Sequence, residues 1–257
     1  MKEKYNLKSI IAGLIVLLVG ITLIIADLLW WKTERAIWFN IGCSLFASAV
    51  VILFTAFFVE RIQYNPLDEW KMEKIYNTRA EKNADSDPEL DKAKYQIDAV
   101  AFGLKSFRSK QTKKVETCLR NGVNIRILTM APDSEFILAR EKEEKEQEGQ
   151  IKNTIEQLVA WANSLNNRNY MGKIVVKGYS CMTLDFYWRV DDELYIGPYW
   201  YGISSQQTIT YKFSEGGKGF TQYTSYFDDL WNDNELTKVL TKIDDSNLKY
   251  RRGKKRG

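Results

Sequence analysis

Two long apolar runs at the start of the chain constrain it more than any other feature. Ser9 to Trp31 is 23 residues with a single charge, Asp27, and Ala36 to Val59 is 24 residues with none. As a helix, either run is long enough to cross a hydrocarbon core of roughly 30 Å. The first is too long for the apolar region of a signal peptide, and a second run follows it directly. Four residues, Lys32 to Arg35, separate them, which predicts a tight helical hairpin with both chain ends on one membrane face. Lys2, Lys4 and Lys8 precede the first run and Arg61, Lys71 and Lys74 follow the second, whereas Lys32 and Arg35 in the turn are offset by Glu34. That asymmetry predicts cytoplasmic termini, with Trp30, Trp31, Trp38 and Phe39 forming an aromatic girdle at the turn.

Polar residues inside these runs are candidates for more than anchorage. Asp27 and Asn40 are costly in lipid, and Ser44 and Ser48 stand four apart on one helical face, where a second helix can approach closely. A plainer reading exists for each. Asp27 lies about one turn from the aromatic girdle and can reach interfacial water, and Ser and Thr hydroxyls can bond to their own helix.

Chemistry is limited by what is missing. The 257 residues include three Cys and no His. Imidazole is the side chain whose charge changes near neutrality, so a Ser-His-Asp triad, a Cys-His pair and a His-ligated zinc site are excluded. Cys43 falls within an apolar run, and Cys118 and Cys181 are far apart, so neither a disulfide framework nor a CxxC metal pattern is present. A net charge of +4 is small for this length, which removes the generic polyanion binder. No cofactor is expected.

After the spans the sequence changes character. Residues 61–94 read as a helical connector, with Leu67, Trp70 and Ile75 on one side of a charged stretch and Asp85-Ser86-Asp87-Pro88 as a turn. Residues 95–233 read as an α/β domain. Ile97 to Gly103 suits a buried strand, Lys105 to Asn121 a helix stopped by Gly122, and Val123 to Met130 a second strand, together a parallel crossover unit. Ser134 is a candidate N-cap for a charged helix reaching Gly149, and a more amphipathic helix runs from Ile151 to Leu165. Lys173 to Tyr179 returns to strand. Phe186 to Val190 and Leu194 to Gly197 flank the polar turn Asp191-Asp192-Glu193 as a hairpin. Thr208 to Phe213 adds a strand, Gly216, Gly217 and Gly219 a loop, and Phe220 to Trp231 an aromatic helix. The expected fold is a helical transmembrane hairpin plus an α/β cytosolic domain with a mixed sheet. Residues 234–257 read as a C-terminal helix and basic tail.

The succession of strand, helix, a strand ending in LTMAPDS, two helices, KIVVKGY and the hairpin YWRVDDELYIGPYWYG resembles the phospholipase D-like superfamily. There a His-x-Lys-x4-Asp segment enters a strand that turns at Asp. With Asp191 at the place of that Asp, Leu184 and Phe186 occupy the places of the His and the Lys. The resemblance therefore implies the fold without its nucleophile, because neither side chain can form a phosphohistidine. A second resemblance is to the membrane effectors of bacterial antiphage systems of the retron and cyclic-nucleotide type. It implies a cytosolic trigger that reorganises short transmembrane hairpins in the inner membrane, aborting infection.

Four residues stand out as ligand or partner candidates. Tyr187, Trp188, Tyr195, Tyr199, Trp200 and Tyr201 crowd into 15 residues. They can stack on bases, with Arg126 and Arg189 available for phosphates, or simply pack the core. Asp191, with its acidic neighbours, can hold a hard cation or remain a solvated turn. Glu141 to Glu148 reads as an exposed charged face. In the tail, Lys249 together with Arg251, Arg252, Lys254, Lys255 and Arg256 puts six cations in nine residues, and removing the tail changes the charge of residues 60–257 from +2 to −4. Such a tag suits anionic lipid or nucleic acid. The reading as a whole is a homo-oligomeric, non-enzymatic membrane effector that touches lipid. Its control would come from a nucleotide or from an inhibitory complex with a reverse transcriptase and its nucleic acid. The alternatives are a membrane-tethered nuclease or phospholipase-like hydrolase, or an inert tether for a partner.

Overall fold

The computed structural model describes residues 7–31, 37–59, 66–182 and 185–243. The chain divides into two compact units at residue 66. The interhelical turn from Lys32 to Arg35, Leu184 and the basic tail, including Arg251, Arg252, Lys254, Lys255 and Arg256, lie outside the described residues.

The first unit is a helical pair. α1 (Leu7–Ala26) continues through a π-type turn at Asp27–Trp31, and α2 (Ile37–Phe54) through another at Thr55–Val59. Leu7–Leu29 and Ile37–Val59, each 23 residues with mean hydropathies of 2.9 and 2.3, are long and apolar enough to cross a membrane. The helices run antiparallel, since a Cβ on Gly13 would meet Leu53 while one on Gly20 would meet Gly42 and Phe46. Their seam follows a seven-residue spacing, with the small residues Gly13 and Gly20 and then the buried Asp27 on one side, and Gly42, Ala49 and Ala56 on the other. A seven-residue repeat keeps one stripe facing its partner as two helices wind round each other. Approach at the crossing is close, because a Cβ on Gly42 would lie 2.6 Å from Ile24 Cγ1 and 2.8 Å from the Gly20 carbonyl oxygen.

Ser44 and Ser48 do not form that contact face, contrary to their spacing. Both are exposed, and the Ser48 hydroxyl donates to the Ser44 carbonyl at 2.9 Å. Glycine allows a closer approach than serine, so the seam follows Gly42 instead. Asn40 is also exposed. Asp27, expected to reach outward, is only 5 % exposed.

The second unit is built on one eight-stranded sheet of order β1-β7-β6-β5-β2-β3-β4-β8. Its strands are β1 (Met72–Tyr76), β2 (Gln96–Val100), β3 (Asn124–Met130), β4 (Ile174–Tyr179), β5 (Phe186–Val190), β6 (Glu193–Gly197), β7 (Thr210–Ser214) and β8 (Thr237–Val239). β2, β3 and β4 pair in parallel and every other pair is antiparallel, so the sheet is mixed as the sequence predicts. Strand alternation divides the core in two. Ile97, Ala99, Ile127, Val176 and Trp188 face α5 (Lys105–Arg120) and α7 (Gln150–Asn166), whereas Val100, Leu128, Val175, Tyr187 and Phe213 face α8 (Lys218–Trp231) and α6 (Phe136–Glu144).

The connector is where the sequence reading goes astray. Residues 61–94 were expected to form a helical spacer, but β1 is the sheet's edge strand, paired with β7, and Tyr76 at its end is fully buried. Charges on its outward positions are ordinary for an edge strand, and they hid the strand pattern. Around the expected turn, α4 (Arg79–Ser86) runs into a 3-10 turn at Asp87–Lys92. The expected C-terminal helix is also absent from residues 234–243. Asp233 instead accepts hydrogen bonds from the amides of Glu235 and Leu236, both at 2.9 Å, and turns the chain into β8 beside β4. Ser134 bonds to the Phe136 amide at 3.3 Å, but α6 stops at a left-handed Lys145, short of Gly149. Glu141 is no solvated charge: it is 2 % exposed and accepts from the Gly149 and Ile151 amides at 2.9 and 2.8 Å, capping α7. Gly219 belongs to α8, where a Cβ would strike the Phe213 ring at 2.4 Å.

Candidate functional site

The sequence-predicted ligand residues turn out to be occupied by the fold. Asp98 is fully buried in β2 and stands in register with Arg126 on β3 and Arg189 on β5. Arg126 donates to its two oxygens from Nε and Nη2 at 2.7 and 2.8 Å, and Arg189 approaches at 3.4 Å. Arg126 also reaches Asp228 of α8 at 2.8 Å, while the Phe227 and Phe220 rings cover Arg126 and Arg189 respectively. Burial alone would raise the Asp98 pKa; Arg126 foremost, then Arg189, holds it below the ordinary value. These cations therefore seal the sheet under α8 and are not open to a phosphate.

Asp191 is likewise structural. It begins the β5–β6 turn with a positive φ of 49°, and its carboxylate accepts from the amides of Lys94, Tyr95 and Gln96 at 2.7, 2.9 and 3.0 Å. Its oxygens thus fasten the entry to β2, while Glu193 pairs with Lys212 at 2.8 Å. Among the described residues no group of three or more acidic or Cys side chains is placed to hold a metal ion. The aromatic crowd splits the same way. Tyr187 stacks on Phe227, Trp188 sits edge-on to Phe107 and Tyr195 is buried, so core packing accounts for these three. Trp200 and Tyr201 remain exposed, at 41 % and 79 %.

A different set of residues forms an open site. A cleft of about 910 Å³ is bounded by α4, the β2–α5 loop, the starts of α5 and α7, and the segment around Tyr199 and Gln206. It opens beyond the C-terminal end of β2, where the strand's neighbours are parallel on one side and antiparallel on the other. Crevices of α/β sheets commonly take ligands at such places. Gly103 shapes its rim: at φ +64° a Cβ there would overlap Thr154 of α7, 2.1 Å away.

Two cations of α4 supply the floor. Thr78 caps α4 by accepting from the Glu81 amide at 3.1 Å, while Glu81 accepts from the Asn77 amide, and this fixes the helix start. Arg79 and Lys82 then point inward at 3 % and 2 % exposure. The Arg79 guanidinium lies 4.0 Å from the Phe186 ring centroid and donates to Thr208 Oγ1 at 3.1 Å. The Lys82 ammonium rests 4.7 to 5.4 Å from the Tyr195, Trp188 and Phe186 ring centroids. Burial, aided by Arg79 and opposed by Glu89 and Asp87, pushes the Lys82 pKa down to about 7. Phe186, at the place of the motif Lys in the phospholipase D-like resemblance, is one of the rings beneath these cations. Sequence reasoning missed the site because it took 61–94 for a spacer. The signal was present in Thr78-x-x-Glu81 and in two cations one turn apart.

No family model matches the sequence, and no curated protein does. Among solved structures, TrmBL2, an archaeal chromatin protein described with a mode of DNA binding, overlaps at TM-score 0.38 and 10 % identity over 77 % of this chain and 69 % of its own. NucT from Helicobacter pylori overlaps at 0.38 and 10 % identity over 64 % of this chain and 96 % of its own. Phosphatidylserine synthase from Haemophilus influenzae Rd KW20 overlaps at 0.43 and 13 % identity over 65 % of this chain, which spans 39 % of the synthase. None of these likenesses assigns an activity to the chain, which consists of two N-terminal apolar helices followed by an α/β domain with a mixed sheet.

Proposed function

We propose that this chain is a membrane effector of a bacterial antiphage defence system. In this reading, triggered hairpins assemble and breach the inner membrane, and the α/β domain on the cytoplasmic side controls them without catalysing a reaction. The observation that carries it is the outward placement of Asn40, Ser44 and Ser48 on a hairpin whose seam is already filled by small residues. Ser48 has an acceptor on its own helix, and Asn40 presents its amide on the exposed face of α2. A second hairpin would offer that amide a partner, so polar residues there favour a homo-oligomer with a wettable interior.

The domain's chemistry supports a controlling role. The chain has no His, the Asp191 carboxylate is taken up by three backbone amides, and Phe186 is an aromatic floor where the related motif has a Lys. Release of the hairpins would then follow from a partner leaving the domain, such as a reverse transcriptase with its nucleic acid. The cations from Lys249 to Arg256 suit either that nucleic acid or anionic lipid.

Overproduction of the full chain in bacterial cells is expected to collapse the membrane potential read by a voltage-sensitive dye. An Asn40→Leu chain inserted to the same level is expected to leave the potential intact. A potential retained with fully inserted wild-type chain would sink this reading.

A further inference from the structure

Two buried donors on the lining of the α4 cleft, Arg79 Nε and Trp188 Nε1, have no acceptor among the described residues, and the Lys82 ammonium lies 5.1 Å from the Trp188 ring centroid. Buried donors are matched in the great majority of cases, so two left open beside a buried ammonium mark a place built for something rich in acceptors. The helix start at the cleft's edge is prepared in the same sense. The first turn of α5 has no acid, its N-cap is a left-handed Leu104, and no side chain caps it. Lys105 stands there and Lys110 follows, both exposed and both lining the cleft. Cations at a helix N-terminus are the reverse of ordinary compensation, and they make sense when an anion sits on the free amides.

The remaining wall is aromatic. Phe102, Phe107 and Tyr199 are half-buried, with rings that form part of the lining. A volume of about 910 Å³ is near the top of the range for small-ligand sites and far more than a bare phosphate fills. Acidic groups at the rim are partly engaged, as Glu144 is by Arg140.

We propose that this cleft binds a nucleotide, with its phosphates between Lys82 and the start of α5 and its base against Phe102, Phe107 or Tyr199. The site does not depend on the membrane reading: a protein that binds nucleotide without breaching a membrane would retain it. The phosphate and base can come from a free nucleotide or from the end of a nucleic acid strand, which share this chemistry.

Full-length protein in detergent, titrated with ATP and with GTP by calorimetry and thermal unfolding, tests it. Either nucleotide is expected to bind and raise the unfolding temperature, with adenosine and inorganic phosphate each binding more weakly than the whole. A short single-stranded oligonucleotide that binds more tightly than both would assign the same site to a strand end. Lys82→Met removes a buried charge, so it is expected to raise the unfolding temperature of the free protein while weakening nucleotide binding about 10- to 100-fold. Lys105→Glu is expected to do the same by a separate route, improving the helix start while repelling phosphate. No binding of either nucleotide or the oligonucleotide by folded wild-type protein, or unchanged affinity in both folded variants, would overturn the proposal.

Discussion

Replacing Asp98 by alanine is expected to remove a large share of the α/β domain's stability. Asp98 neutralises two guanidinium groups, Arg126 and Arg189, that are each 3 % exposed as side chains. Breaking a buried pair from one side leaves an uncompensated charge and costs about 3–5 kcal/mol, against a typical domain stability of about 5–15 kcal/mol. With a slope near about 2 kcal/mol per M, the urea midpoint should fall by about 2 M. Asp228→Ala should cost less, because Arg126 keeps both oxygens of Asp98. Asp98 also sets a pH dependence. Its folded pKa lies below the ordinary value, so its contribution is complete above the unfolded pKa of about 3.9 and is lost as pH falls through the depressed folded value. Equal urea midpoints for wild type and Asp98→Ala would refute the assignment of these cations to structure rather than to ligand.

Gly42→Leu is expected to force the hairpin apart. Its Cβ alone would stand 2.8 Å from the Gly20 carbonyl oxygen, a backbone atom that cannot step aside. The rest of a leucine has no room without separating the helices, and overpacking of this kind costs about 1–3 kcal/mol. Ser48→Leu, on the exposed face, leaves the seam untouched and so separates loss of hairpin packing from loss of an outer contact. The two variants should differ in the mobility of the compact hairpin on a denaturing gel, Gly42→Leu being the one that opens. Identical mobility would show that the small-residue seam does not hold the pair.

Much of the architecture was written in local patterns. The β2–α5–β3 unit and the β5–β6 hairpin follow from β-branched runs interrupted by Gly122 and by Asp191-Asp192, residues whose backbone preferences are strong. The parts that local pattern does not specify are those decided by tertiary pairing. β1 carries charges outward because only one of its edges is paired, and β8 is only three residues long, too short for any periodicity. The hairpin seam is legible in the seven-residue spacing of Gly13 and Gly20 and of Gly42, Ala49 and Ala56, whereas Ser44 and Ser48 share a helical face that the partner helix does not cover.

The candidate site was harder to foresee. Arg126 and Arg189 look free in the sequence because their partner, Asp98, is brought to them by register across β2, β3 and β5. Lys82, which does line an open cleft, looks like one surface lysine among many. What distinguishes the three is burial and pairing, and neither can be read from residue type.

Expression of the domain without residues 1–66, beside the full chain at matched levels, tests the central claim most directly when membrane potential and viability are followed together. The full chain should depolarise and kill, while the truncated domain should leave potential and growth unchanged. A truncated domain that kills cells by itself would contradict the account, because it would place the destructive chemistry in the part read here as the controller.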